Sequence, residues 1–345
     1  MEESVVTAWV IDHPAHAQAL LPFIREGSTS DLFILTKRPD VEHLFAAGEG
    51  IIPRRETLWV ERPAGVGVGY FRRRIIAFKR YRQVTSALKL RSGSERAILQ
   101  IVGISCPIEM RAAIKAGIPR RLYISDNEVD QFANRMALPN LSELLIPAQW
   151  REDIDGGFVA KVRRSEKPIT HFDGNKAHVY LRPATIPNLE TSAERRILVR
   201  RLIGGGIHDE EMVSLLNSVE LASLNPEVVF DEHTEGEKLE KPWSLPNRTL
   251  DYDGVLTQSV TLATEAASLG VPTLLASNAQ RGVLDSLIGS GIISLITDDS
   301  NSSDSPSQRE KISAWLDGLP SRASEVEWPD TLSQWRTIIQ SHSQE

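Results

Sequence analysis

Short apolar runs alternate with stretches in which apolar positions recur every three or four residues, and this rhythm spells strand, helix, strand along most of the chain. In the first half the pattern predicts strands at 5–11, 32–35, 58–60, 97–102, 122–124 and 144–146. Helices are expected at 17–24, 71–90, 108–116 and 128–137. In the second half strands are expected at 177–181, 228–230, 254–256, 273–276 and 292–296, with helical stretches between them and two amphipathic helices at 311–316 and 332–339. Alternation of this kind is the signature of doubly wound α/β domains with parallel sheets. The organisation read from it is an N-terminal Rossmann-like domain over 1–150, a polar interdomain connection over 151–175 with room for a short strand, a C-terminal Rossmann-like domain over 176–325, and a final helix over 326–345. The Ser- and Asp-rich run 297–308 reads as a surface loop.

The stretch from Asp251 to Leu275 is the most informative. A strand ending at Val255 and Leu256 leads through Thr257, Gln258 and Ser259 into a helix with Leu262, Ala263, Ala266, Ala267 and Leu269 on its buried side. Gly270 stops that helix and Pro272 opens the next strand. A helix start at the end of a strand offers free backbone N–H groups and a partial positive charge, which suits a pyrophosphate. Gln258, Ser259, Val260 and Thr261 would form that start, and Glu265, about a turn further on, could accept hydrogen bonds from ribose hydroxyls. The same residues also fit an ordinary βαβ unit with a solvated Glu265.

Other candidates lie where predicted strands end, the edge at which open α/β sheets bind ligands. His13 and His16 follow the first strand, and an imidazole there can serve as a general base on a hydroxyl. Asp126, Glu128 and Asp130 follow the strand at 122–124, as a proton-transfer set or as acids complementing a helix dipole. Arg182, placed after the strand at 177–181, could grip a diphosphate in bidentate fashion. Arg281 and Asp285 could line the same ligand's site.

Several of these stretches resemble known enzymes. E-A-A-S-L-G-V-P, from Glu265 to Pro272, resembles the E-A-x-x-x-G-x-P signature of the C-terminal domain of GT-B glycosyltransferases and non-hydrolysing UDP-N-acetylglucosamine 2-epimerases. W-V-I-D-H-P-A-H (Trp9 to His16), the Gly117-Ile118-Pro119 segment with I-S-D-N-E-V-D and Asn134-Arg135 after it, L-L-I-P ending at Pro147, and Leu181-Arg182-Pro183 resemble, in order and spacing, a largely archaeal domain-of-unknown-function family related to those enzymes. The resemblance covers most of the chain, least so around 150–177. It implies a GT-B-like fold of two Rossmann-like doubly wound domains facing each other across a cleft, a nucleotide-sugar as donor substrate with no cofactor and no metal, and a glycan or lipid-linked acceptor. Glu128 then matches a catalytic acid of the epimerases, whose second Glu is replaced here by Phe132 and Ala133, so glycosyl transfer is favoured over sugar-nucleotide epimerisation. A non-catalytic binding protein of the same fold is the third reading. Two departures stand out. Gln258 to Thr261 replaces a glycine-rich loop, so the side chains of Gln258 and Val260 are expected to crowd a phosphate. Ile104-Ser105-Cys106-Pro107 replaces a segment resembling H-G-S-P, leaving Ser105 and Arg135 as further cleft candidates.

Charge and composition change this picture in one place. The chain has 345 residues and a net charge of −7, which gives no reason to expect specific nucleic-acid binding, and its single Cys, Cys106, excludes an internal disulfide and a cysteine-rich zinc site. No apolar run is long enough to span a bilayer and the first residues do not read as a signal peptide, so a cytoplasmic location is expected. Yet 72–96 is strongly basic, with Ile75, Ile76, Phe78, Tyr81, Val84 and Leu88 interleaved. Such a helix is either a solvated one with a core stripe or a peripheral contact for the inner membrane surface. Gly65 to Gly69 before it reads as a loop near the cleft and Gly204 to Gly206 as a helix end.

Overall fold

The computed structural model describes residues 5–62, 69–91, 97–182, 194–203, 212–235, 237, 239–298, 307–319 and 326–341. The chain divides into two compact units, one formed by Met1–Tyr180 with Pro329–Glu345 and the other by Leu181–Trp328. Both are parallel α/β units, and together they make a two-domain GT-B-like fold.

The first unit runs β1 (Thr7–Ile11), α1 (Pro14–Glu26), β2 (Leu32–Lys37), α2 (Pro39–Ala46), β3 (Glu56–Glu61), α3 (Tyr70–Arg91), β4 (Gln100–Ile104), α4 (Pro107–Ala116), β5 (Arg120–Ile124), α5 (Gln131–Ala137), β6 (Glu143–Pro147), α6 (Phe158–Arg164), β7 (Ile169–Phe172) and α7 (Ala177–Tyr180). Its seven strands are all parallel, in the order β3-β2-β1-β4-β5-β6-β7. β1, in the interior of the sheet, is buried along its whole length, as a strand covered on both faces must be. Even-numbered residues of β1 and β2 (Ala8, Val10, Leu32, Ile34) meet Val84 and Leu88 of α3 and Met110 and Ala113 of α4 in one core. On the other face Phe33 meets Phe45 of α2.

The second unit runs β8 (Arg195–Arg201), α8 (Ser218–Ala222), β9 (Val228–Thr234), α9 (Leu245–Arg248), β10 (Gly254–Thr257), α10 (Val260–Ser268), β11 (Thr273–Ala276), α11 (Gly282–Gly289), β12 (Ile293–Ile296) and α12 (Gln308–Asp317). Its parallel sheet has the order β12-β11-β10-β8-β9. Ile312 and Trp315 of α12 pack with Ile197, Val199, Leu256 and Leu274 on one face, and Ala263, Ala267 and Leu284 pack with Leu275 and Ile293 on the other. α13 (Thr331–Gln340) belongs to the first unit: Trp335 stacks on Phe23 and meets Phe172 edge-on, and Arg120 donates to the carbonyls of Ile338 and Ile339.

Four features differ from the sequence pattern. Residues 177–181, expected as a strand, hold the short helix α7, because Asn175 Oδ1 accepts from Ala177 N–H and the Asn175 carbonyl from His178 N–H, starting a turn. The second unit opens instead with β8, whose apolar centre Ile197-Leu198-Val199 is hidden in sequence by Arg pairs on either side. Between 151 and 175, where the pattern suggests a polar connection with room for a short strand, that strand forms as β7 and pairs with β6 to extend the first sheet, and the helix α6 precedes it. Helix 128–137 is shorter than its pattern: Asp130 caps α5 by accepting from Ala133 N–H, leaving Glu128 in the preceding turn. Gly65 and Gly67, Arg96, Pro183, Gly204 to Gly206 and 299–306 lie outside the described residues.

Candidate functional site

In an open parallel sheet the place where strand order reverses leaves a gap at the carboxyl ends of two neighbouring strands. In the first unit that place lies between β1 and β4, and the residues next to it are Asp12, His13 and His16 after β1 and Ser105 and Cys106 after β4. Pro14, first residue of α1, fixes the turn, and the two imidazoles stand with ring centroids 5.8 Å apart.

A backbone bond settles what His13 can do. Ala15 N–H donates to His13 Nδ1 at 3.1 Å, so the proton of the neutral ring is on Nε2 and that nitrogen is a donor. Burial, with Arg38 nearby, pulls His13 down to about 4. His16 is pulled to about 3 by burial first, then by Lys176 and His13. Both rings are therefore neutral at pH 7. His16 Nδ1 has no hydrogen-bond partner among the described residues, so no tautomer is imposed on it. Of the two, His16 is the ring with a nitrogen left open, and its burial makes it a weak base.

Asp12 is held by groups that the sequence pattern does not reveal. Its carboxylate accepts from the Thr36 hydroxyl at the end of β2 and stands 3.3 Å from Arg80 Nη1. Burial alone would raise Asp12, but Arg80 and Thr36 outweigh it and leave it at about 2. Arg80 is 2% exposed; its Nε meets Glu109 at 2.5 Å and its Nη1 donates to Thr36 Oγ1 at 2.9 Å and to the Glu61 carbonyl at 3.1 Å. This arginine, one among many in the basic run, is therefore an interior tie between β1, β2, β3 and α4. A further charge is Lys176, between β7 and α7, whose Nζ pairs with Asp126 Oδ2 at 2.6 Å. The turn that carries it is tightly built: a Cβ on Gly174 (φ +76) would fall 2.4 Å from Pro329 Cγ and 2.5 Å from His178 Nδ1.

His13, His16 and Asp126 thus share one electrostatic neighbourhood with Asp12 and Lys176. Glu128 points elsewhere: it is 1% exposed and accepts from Arg151 N–H at 3.2 Å. Ser105 lies in the left-handed region (φ 49), its N–H donating to the Ile124 carbonyl at 2.9 Å. Cys106 is buried with its thiol pushed up by that burial, which makes it a packing residue. Arg135 is exposed on α5, and Arg182 is exposed just after α7, not at the end of a strand.

In the second unit order reverses between β8 and β10. Here the expected strand, turn and helix form as β10, Thr257 to Ser259, and α10. Ser259 caps the helix, its Oγ accepting from Leu262 N–H at 3.3 Å and its carbonyl from Ala263 N–H, which leaves the N–H groups of Val260 and Thr261 without partners inside the helix. The crowding expected from Gln258 and Val260 is relieved. Gln258 Oε1 accepts from Leu202 N–H at 2.9 Å and its Nε2 donates to the Val213 carbonyl at 2.8 Å, while Val260 packs with Ala263 and Ala267. Ser259, Val260 and Thr261 stay half-exposed. Glu265 is 5% exposed, not solvated. Gly270 (φ +78) ends α10 with Val271 N–H bonded to the Ala266 carbonyl. Arg281 directly precedes α11 at the same edge of the sheet, half-buried and without a side-chain bond to the helix start, with Asp285 exposed one turn on.

No protein-family model matches this chain, and no curated protein matches it in sequence. Solved structures match throughout. UDP-GlcNAc 2-epimerase from Neisseria meningitidis, bound to UDP-GlcNAc, superposes with TM-score 0.61 at 14% identity, over 97% of this chain and 98% of that one. MurG from Acinetobacter baumannii gives 0.58 at 11%, over 97% and 99%. A UDP-glucosyltransferase from Polygonum tinctorium capable of glucosylating indoxyl gives 0.56 at 10%, over 99% and 95%. At such identities the likeness is one of fold.

Proposed function

We propose that the protein is a nucleotide-sugar-dependent glycosyltransferase whose second unit holds a UDP-sugar and whose first unit presents His16 to the acceptor. The observation that carries this reading is the capped start of α10, with the side chains of Gln258 and Val260 turned aside and Glu265 within the same helix. Backbone N–H groups of Val260 and Thr261 would receive the diphosphate, Arg281 would add charge at the same edge, and Glu265 would take the ribose hydroxyls. Neighbours named for UDP-GlcNAc and for UDP-glucosyl transfer support uridine as the base.

On this reading an acceptor hydroxyl attacks the anomeric carbon of the donor while the bond from that carbon to the diphosphate oxygen breaks. The hydroxyl proton passes to His16, and the nucleoside diphosphate leaves with its new charge facing the α10 start. His13 Nε2–H and Lys176 donate to the acceptor, and Asp126 and Asp12 orient it. Transfer is favoured over C2 inversion because inversion needs acids on both sides of a ring carbon, and Glu128 is turned toward Arg151 N–H.

Release of UDP from UDP-GlcNAc, UDP-glucose and UDP-galactose in the presence of simple glycan and polyprenyl-phosphate acceptors tests the reading. Turnover with one donor, reduced about a hundredfold or more by His16→Gln with donor binding kept, is the expected result. Conversion of UDP-GlcNAc to its C2 epimer would replace transfer by epimerisation, and donor binding without turnover would make the chain a binding protein.

A further inference from the structure

α3 carries an outward face that the first unit's core does not use. Its inward side is Arg80, Val84 and Leu88. On the opposite side Phe71, Ile75 and Phe78 follow one another at i, i+4 and i+7, the spacing that aligns side chains on one stripe of a helix. They are 80%, 55% and 58% exposed, and Tyr70 beside them is 65% exposed. Soluble surfaces show single apolar residues routinely, but a run of large ones on two adjacent turns marks a contact surface.

The charge around this stripe is one-sided. From Tyr70 to Arg91 the sequence has eight cations and no acid, in a chain whose net charge is −7. Arg80, with Glu109 and Asp12, and Arg91, with Glu56, are engaged within the fold. Arg72, Arg73, Arg74, Lys79 and Arg82 are all exposed. Arg74 lies over the Tyr70 ring at 5.5 Å and Arg82 over Phe78 at 5.9 Å, so cations and aromatic rings share one surface.

We propose that this face of α3 docks the protein on an anionic lipid bilayer, Phe71, Ile75 and Phe78 entering the interface while Arg72, Arg74, Lys79 and Arg82 meet the headgroups. A nucleic-acid surface would match the charge but not three large apolar side chains at the centre of the patch. A protein helix would match the stripe but not a rim of a single sign. Large apolar groups ringed by cations fit acyl chains beneath a layer of negative charge. No helix among the described residues is long and apolar enough to cross a membrane, so the contact is a surface one. This inference is independent of the donor site.

Flotation of the full chain with vesicles of phosphatidylcholine alone and of phosphatidylcholine mixed equally with phosphatidylglycerol tests it. The wild type should float with the mixed vesicles at low salt and dissociate toward 1 M salt, where the screening length is about 3 Å. Phe71→Ser with Phe78→Ser, and separately Arg72→Gln, Arg74→Gln, Lys79→Gln and Arg82→Gln together, should keep the thermal midpoint and lower partitioning. Each cation lost should reduce binding about fivefold. Failure of the wild type to float, equal binding to both vesicles, or binding unchanged in either variant would overturn the proposal. Preference for a DNA duplex, or self-association abolished by Phe71→Ser, would overturn it in favour of a nucleic acid or a second copy.

Discussion

His16 and Asp12 set how the first unit responds to acid. His16 has a folded value of about 3 against an ordinary 6.5, so the unfolded chain binds its proton first, and stability is lost as pH falls from 6.5 toward 3. Asp12, at about 2 against 3.8, contributes stability that is present above 3.8 and lost as pH falls through 2. Two outcomes follow. The His16 ring signal in an NMR titration should not move between pH 8 and roughly pH 5. His16→Gln should lessen the pH dependence of the melting temperature between 6.5 and 4, leaving the share owed to His13 and His178, which burial holds at about 4, and the acid limb below it. A His16 signal titrating near 6.5 would remove the burial assigned to it. Arg80 makes a sharper residue-scale case. Arg80→Met leaves Glu109 and Asp12 without their cation inside the protein and should cost about 3–5 kcal/mol in urea unfolding, whereas Arg82→Met on the exposed face should stay within about 0.5 kcal/mol. His13 and His16 were legible in the sequence because they end a strand that could not be anything else. Arg80 was not, since in R-R-R-I-I-A-F-K-R-Y-R its neighbours carry the same charge and only the approach of β1, β2, β3 and α4 makes it interior. Lys176 was hidden because 177–181 reads as a strand, and only the turn into α7 brings its ammonium beside Asp126.

At the scale of elements, the strand, turn and helix of β10 and α10 were readable end to end, from the Ser259 cap to the Gly270 stop, because each is decided by local chemistry. What local chemistry could not show is where side chains turn. Gln258 looks in sequence like an obstacle to a phosphate, and in the fold it clamps the two ends of the segment between β8 and α8. Gln258→Ala should therefore leave the Leu202 N–H and the Val213 carbonyl unpaired, costing about 1–3 kcal/mol, and hydrogen exchange should show faster opening at Leu202 while α10 is unaffected. The helix at Ala177–Tyr180, where the pattern predicts a strand, has the same origin. A-H-V-Y-L alternates like a strand, but Asn175 starts a turn and Gly174 admits no side chain beside Pro329 and His178. Gly174→Ala should loosen α13 from β7, seen as a red-shifted emission of Trp335, while the second unit keeps its own unfolding transition.

For the molecule as a whole, alternation of apolar runs was enough to read two parallel α/β units, and the match of solved GT-B-like enzymes along nearly the full chain agrees with it. β8 escaped because its apolar centre is only three residues long between charged flanks. The account turns on the second unit as the seat of a UDP-sugar, and the most direct measurement is a thermal-shift panel of UDP-, GDP-, CMP- and ADP-sugars on the wild type and Glu265→Gln. A ligand that binds only the native state stabilises it by RT ln(1 + [L]/Kd), about 2.7 kcal/mol at a hundredfold excess over Kd. A UDP-sugar site at α10 requires a rise with UDP-sugars alone that is lost in Glu265→Gln. No rise with any of them from folded protein, or the same rise in the variant, would contradict it.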